Sequence, residues 1–361
     1  MKLTYFGNFL VTGVRANQNQ IFRMCSAFME NGNDVTLVAD FNEHTPEQLR
    51  KLFGVAHVPV MWNIRIPKVV GASIFLAFKV LYRAFIGQSD LLMTRDVRSA
   101  ALLNLFGFRI VYECHAIPDS FLSNISFWWL RKSPVKVLFV VISRALEQEV
   151  ITRHKVIVAH DAANLLDLND RLVNWPAERI IIGYAGSGYP GKGATFVPLL
   201  AKVCPEFEFI VVGVGREEML ESVDIIPDNL DCIPRVAPSE VASKLAQFDI
   251  LLAPYSEIVQ SAGGQQIGKW MSPLKTFEYM AAVKPIIASD LPVLREVLIH
   301  NTNCILCPPD DVKRWTQALR DLVSNPRQAI RLANNARTDV IEKYSWTARA
   351  ANIIDAAAEV L

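Results

Sequence analysis

The sequence predicts an α/β protein built from two doubly wound parallel sheets. Short apolar runs alternate with helical segments along all 361 residues. Runs such as 137–142 and 180–182 are apolar without alternation, as strands buried on both faces are. The length suits roughly two domains at ~150 residues each.

In the first half the apolar runs predict strands at 3–7, 34–40, 55–60, 90–95, 109–115, 135–143 and 155–161. Between them, helices are expected over 17–31, 71–87, 97–107 and 143–153. In the second half strands are expected near 179–186, 208–215, 230–236, 249–254, 284–289 and 303–307. Helices there are placed at 192–203, 216–224, 238–247, 274–282 and 310–343, the last broken at Pro326. A polar break around 167–170, followed by Asn174-Trp175-Pro176, divides the chain into 1–172 and 173–344. The Ala-rich tail, 345–361, reads as a helix able to cross back to the first domain.

Net charge is +1, so no global bias points to nucleic acid. Residues 50–155, however, hold 15 basic side chains against 6 acidic ones, which favours an anionic partner there. Mean hydropathy is +0.23, yet the longest charge-free apolar stretch, 69–78, is too short to cross a bilayer. The opening residues read as a strand and turn, not a signal peptide. Six scattered cysteines suit a reducing compartment, and the cytoplasm is the expected location. Cys304-Ile305-Leu306-Cys307 has no second ligand pair and reads as a core strand. Gly213-Val214-Gly215 is only a fragment of a dinucleotide fingerprint.

Two segments carry chemistry. Gly186-Ser187-Gly188-Tyr189-Pro190-Gly191-Lys192-Gly193 joins a strand to a helix, where backbone N–H groups and a lysine suit a phosphate. Gly193 stands where a P-loop needs Ser or Thr for Mg²⁺, which disfavours an ATPase. The second segment is Ser272-Pro273-Leu274-Lys275-Thr276-Phe277-Glu278. Ser272 suits an N-cap and Pro273 the first turn, so amides near Leu274 to Thr276 are placed for a diphosphate, with Lys275 beside them. Glu278 shares a face with Leu274 and suits two ribose hydroxyls. A glycine-rich turn with a solvated lysine, and an ordinary capped helix, are the plain alternatives.

In this order and at this distance, the two segments resemble the donor-binding domain of the family 4 glycosyltransferases. Supporting pieces are 182–186 with 191–193, 209–213, 249–255, 272–290 and 303–309. In the first half 94–96, 112–115, 141–143 and 159–161 also fit. The resemblance implies the GT-B architecture: two facing Rossmann-like domains with a cleft between them. It implies retaining transfer of a sugar from a nucleotide-sugar, with no cofactor and no essential metal. Lys192 is then expected on the diphosphate and Glu278 on the ribose. His115 is expected near the donor sugar, oriented by Glu113 two residues earlier. Gly13 is expected to let substrate approach the backbone. Gly186, Ser187, Gly191, Arg235, Ser272, Leu274, Lys275 and Thr276 complete the expected donor contacts.

Two positions depart from the family pattern. Trp270 replaces a glutamate eight before Glu278, and Ser187 an arginine five before Lys192, for which Lys275 is the expected substitute. The expected partners are a nucleotide-sugar and a glycan or lipid-linked acceptor. Aromatic and basic residues at 126–134, and Lys79 with Arg83 on one helix face, suggest an anionic membrane surface at the inner face of the cell membrane. A sugar-nucleotide epimerase of related fold, or a non-catalytic nucleotide-sugar-binding scaffold, are the competing readings.

Overall fold

The structure is a computed structural model that describes residues 1–12, 15–65, 72–85, 89–164, 179–261 and 264–360. The chain forms two compact units, Met1–Asp161 with Trp346–Leu361, and Ala162–Ser345. The expected boundary at 172/173 and Gly13 lie outside the described residues.

The first unit runs β1 (Lys2–Leu10), α1 (Ala16–Glu30), β2 (Asp34–Asp40), α2 (Pro46–Phe53), β3 (Val60–Asn63), α3 (Ala72–Phe85), β4 (Leu91–Thr94) and α4 (Val97–Leu105). It continues through β5 (Ile110–Cys114), α5 (Phe121–Lys132), β6 (Val137–Val141), α6 (Arg144–Glu149) and β7 (Val156–Val158). Its seven strands lie in the order β3-β2-β1-β4-β5-β6-β7, and every pairing is parallel. The order reverses between β1 and β4, the switch point of a doubly wound sheet.

The second unit runs β8 (Ile181–Ala185), a 3₁₀ turn at Ala194–Phe196, α7 (Val197–Val203), β9 (Glu208–Val212), α8 (Arg216–Leu220), β10 (Leu230–Ile233), α9 (Val241–Leu245) and β11 (Ile250–Ala253). Then come α10 (Leu274–Ala281), β12 (Ile286–Ser289), β13 (Ile305–Cys307), α11 (Val312–Ser324) and α12 (Pro326–Lys343). Its six parallel strands are ordered β10-β9-β8-β11-β12-β13, reversing between β8 and β11. The core gathers Tyr184, Phe209, Val211, Ile250 and Trp315, with Phe196 edge-on to Trp315 at 5.4 Å. Helix α13 (Trp346–Val360) closes the chain and packs on α1 of the first unit.

The strand expected at 55–60 begins instead at Val60, immediately after Pro59, whose missing N–H suits a strand start rather than its interior. Helix α2 was not expected, although Thr45 and Gln48 form a full capping box, Pro46 sits in the first turn and Gly54 ends the helix at φ 60°. Cys304 and Cys307 are buried at β13, and burial pushes the Cys307 thiol up to about 12. Among the described residues no helix is long and apolar enough to cross a membrane.

Candidate functional site

In the second unit the glycine turn follows β8, at the carboxyl end of a strand beside the switch point. The amide of Gly186 donates to Val212 O at 2.9 Å, extending the β8–β9 ladder. The turn then folds on itself, with Lys192 N donating to Tyr189 O at 3.1 Å. Gly193 has φ 94°, and a Cβ there would sit 2.1 Å from Pro254 O; Gly191 meets Ile258 O in the same way at 1.9 Å. These two glycines are therefore required by the close passage of the 254–259 loop, whatever binds the turn.

Helix α10 holds the turn through one buried stripe, Lys275 and Tyr279, four residues apart. Tyr279 Oη accepts from Ala185 N at 2.7 Å and donates to Ala185 O at 3.1 Å. Lys275 Nζ donates to Lys192 O at 3.0 Å, and Tyr184 Oη lies 3.0 Å from the same carbonyl. The Lys275 ammonium also rests against the rings of Tyr184 and Tyr255, at 4.2 and 4.1 Å from their centroids. Burial, and then the Lys192 charge, hold the Lys275 pKa well below the ordinary lysine value. Burial also lowers that of Lys192.

The neighbouring stripe of α10, Leu274 and Glu278, is half-buried. Ser272 is not the N-cap: Pro273 holds that position in extended backbone (ψ 121°), and the helix begins at Leu274. Pro273 supplies no side-chain cap, and Thr276 N donates to Pro273 O at 2.9 Å. Thr276 is fully buried, and its hydroxyl has no hydrogen-bond partner among the described residues. On the far side of the turn, Lys192 Nζ and Arg235 Cζ lie 5.9 and 5.6 Å from the Tyr189 ring centroid, so two cations flank one ring. Ser187 is half-buried in the turn, and Trp270 half-buried eight residues before Glu278.

The first unit holds a second constellation. Glu113, on β5, is fully buried and collects Tyr5 Oη at 2.8 Å, Gln20 Nε2 at 2.7 Å and Arg349 Nη2 at 2.7 Å. His115 Nε2 lies 3.2 Å from Glu113 Oε1. Burial raises the Glu113 pKa, but Arg349, His115 and Arg95 outweigh it and hold the carboxyl well below the usual range. Burial, with Arg95, pushes His115 down to about 4, so it is neutral at physiological pH. Arg349 comes from α13, where the sequence carries no sign that an arginine of an Ala-rich tail will meet a strand residue 236 positions away. Tyr184, Tyr255 and Tyr279 were missed for the same reason: only the fold gathers them.

The structure thus brings Gly186, Ser187, Gly191, Lys192, Arg235, Leu274, Lys275 and Glu278 around one turn and one helix start. It sets Ser272 and Thr276 beneath that surface, and His115 in the other unit. Among the described residues no three His, Cys, Asp or Glu side chains converge as metal ligands do.

Residues 179–325 match the model of a family described as glycosyl transferases group 1. The match falls within the second unit. The whole chain has the GT-B fold. It superposes on a sucrose-phosphate synthase from Thermosynechococcus elongatus with TM-score 0.73, at 15% identity over 99% of each chain. HepE of Anabaena, solved with UDP and glucose, gives 0.72, also at 15% identity over 99% of each. A phosphatidyl-myo-inositol mannosyltransferase of Mycolicibacterium smegmatis is 28% identical over 171 residues, 46% of this chain and 41% of that protein. An O-antigen chain mannosyltransferase of Salmonella typhimurium is 24% identical over 225 residues, 60% of each. The matches thus span about two to three fifths of the length of these two relatives.

Proposed function

We propose that this protein is a group 1 glycosyltransferase that transfers a sugar, with retention of configuration, from a nucleoside-diphosphate sugar to a glycan or lipid-linked acceptor. One observation carries the reading: Lys192, the glycine turn and the start of α10 are held together by Lys275 and Tyr279. A departing diphosphate requires amides together with an ammonium group, and these two segments supply both. Lys192 neutralises the leaving phosphate, and the α10 amides at Leu274 and Lys275 donate to its remaining oxygens. Glu278, one turn on, takes the ribose hydroxyls. Lys275 stands in for the family arginine replaced by Ser187, acting beneath the turn through the Lys192 carbonyl. His115, a neutral imidazole, steadies the sugar as the bond to phosphate lengthens. No divalent metal is needed, because the protein's own groups supply the positive charge. The mannosyltransferase names of two relatives and the UDP in HepE support a nucleoside-diphosphate sugar and a glycolipid or polysaccharide product. The enzyme works in the cytoplasm, peripherally on the inner face of the membrane.

The test is a thermal-shift screen of UDP-, GDP-, ADP- and CMP-sugars, followed by nucleotide release with and without lipid-linked acceptors, in EDTA. One donor is expected to stabilise the protein and to be consumed only with an acceptor. Turnover without an acceptor favours the epimerase reading, and stabilisation without turnover favours a binding scaffold. If no nucleotide-sugar shifts unfolding, the donor site is wrong.

A further inference from the structure

Helices α3, α4 and α5 pack in that order on the first unit. Each has an inward stripe that belongs to the core: Leu76, Ala77 and Val80 on α3, Ala100 and Leu103 on α4, Phe127 and Leu130 on α5. Helices of a water-facing surface carry polar residues opposite such a stripe. Here α5 instead presents Phe121, Leu122, Ile125 and Trp128 outward, at positions i, i+1, i+4 and i+7, with Phe121 78% and Trp128 54% exposed. Helix α3 has a similar outward stripe, Ile74, Phe75, Phe78 and Tyr82, at i, i+1, i+4 and i+8. Between them Leu105 and Phe106 stand exposed at the end of α4, and the Phe78 and Phe106 rings lie 6.3 Å apart. Large apolar side chains scattered singly need no explanation, but three adjacent helices sharing an outward apolar face do.

The charge on these helices selects the occupant. None of the three contains Asp or Glu, while they carry Lys79, Arg83, Arg98, Arg131 and Lys132. Two of these, Arg83 and Arg131, are partly buried. Arg83 donates to Thr36 Oγ1 at 2.8 Å and lies over the Trp62 ring, and Arg131 lies over Phe127. Lys79 and Lys132 remain exposed among the apolar side chains. A second copy of this face would bring like charges together. An anionic bilayer answers both properties, taking aromatic side chains at its interface and phosphate beside the lysines.

We propose that the outward face of α3, α4 and α5 docks this protein on an anionic lipid bilayer, with Phe121, Trp128, Phe78 and Tyr82 entering the interface. This deepens the membrane side of the function proposed above and does not depend on its donor side, since docking needs no nucleotide.

The experiment is vesicle flotation, comparing phosphatidylcholine alone with phosphatidylcholine containing phosphatidylglycerol. Two double variants are run beside the wild type, Phe121→Ser with Trp128→Ser, and Lys79→Glu with Lys132→Glu. All these side chains are exposed, so thermal unfolding should match wild type and confirm folding. Wild type is expected to float with the anionic vesicles and to partition at least tenfold less onto phosphatidylcholine. The apolar pair should lose at least tenfold of that binding, and the charge pair should lose both binding and its salt dependence. No flotation with anionic vesicles at low salt overturns the proposal, as does flotation unchanged in both variants. So does a concentration-dependent dimer in sedimentation that the apolar pair abolishes, which assigns the face to a second copy. A protein that floats yet binds no nucleotide-sugar leaves docking intact and removes only the donor reading.

Discussion

Lys275 shows what a sequence pattern tells and what it leaves out. Its place next to a helix start marks it as a diphosphate contact, but the structure puts its ammonium under the turn, against two tyrosine rings and the Lys192 carbonyl. Its influence on a ligand therefore passes through Lys192. Lys275→Met keeps the apolar stem and removes the donor. It is expected to weaken nucleotide binding about fivefold in titration calorimetry, the scale of one hydrogen bond to a charged group. Its midpoint of unfolding should move little, because replacing a desolvated ammonium group with an apolar one is often close to neutral. Unchanged affinity would remove Lys275 from the site. His115 gives a second expectation at this scale. Its folded pKa of about 4 lies below the ~6.5 of an unfolded histidine, so the unfolded chain takes up the proton first as pH falls. Stability of the first unit should therefore drop between about pH 6.5 and 4 by up to ~3 kcal/mol. Below that, protonation of Glu113 adds to the loss. In His115→Gln, urea titrations across this range should show a flatter dependence; an unchanged slope would mean that His115 is not held neutral. Lys192 and Glu278 could be singled out in the sequence because the motifs that carry them are local. Tyr5, Gln20 and Arg349 were not, because they meet Glu113 only across long sequence separations.

Among the elements, the alternating pattern located the strands and most helices, since a buried parallel strand is an unmistakably apolar run, but it left out α2 and α5. It failed where local signals compete. At 45–63, the capping box and closing glycine that make α2 were present in the letters, yet the apolar residues around Val55 and Val58 drew the strand prediction five residues early. At α10 the helix starts at Leu274 as expected, but Pro273 rather than Ser272 holds the N-cap position. The glycine turn carries an expectation of its own. Gly193→Ala places a Cβ against the Pro254 carbonyl at a positive φ. It should cost at least ~2 kcal/mol, through backbone strain and the displaced loop, and lower nucleotide affinity with it. Thermal unfolding checks this. A variant as stable as wild type would mean that the 254–259 loop does not pass where it is described.

For the molecule as a whole, the sequence shows two α/β halves and a helical tail; it does not show what the tail does. Helix α13 belongs to the first unit, where Arg349 is buried against Glu113 and donates to the carbonyl of His160 at 2.8 Å. Lys155 pairs with Glu359 at the outer end of the same helix. Breaking the buried pair leaves a carboxylate without its cation, so Arg349→Met should destabilise the first unit by roughly 3–5 kcal/mol. The companion Arg349→Lys should recover part of this, and hydrogen exchange on β5 and β6 would report both. Equal protection in wild type and Arg349→Met would contradict the tail's role. The uneven charge of the two halves finds its place at the same scale, in helices α3, α4 and α5, which have no acidic residue.

The central claim is that the second unit cradles a nucleoside diphosphate between its glycine turn and the start of α10. Titration calorimetry of UDP and GDP against wild type and Lys192→Ala tests it most directly. One nucleotide should bind wild type at a single site, and Lys192→Ala should weaken it about tenfold or more, as loss of a charge-assisted phosphate contact does, with unfolding unchanged. Equal affinity in the two proteins would contradict the account.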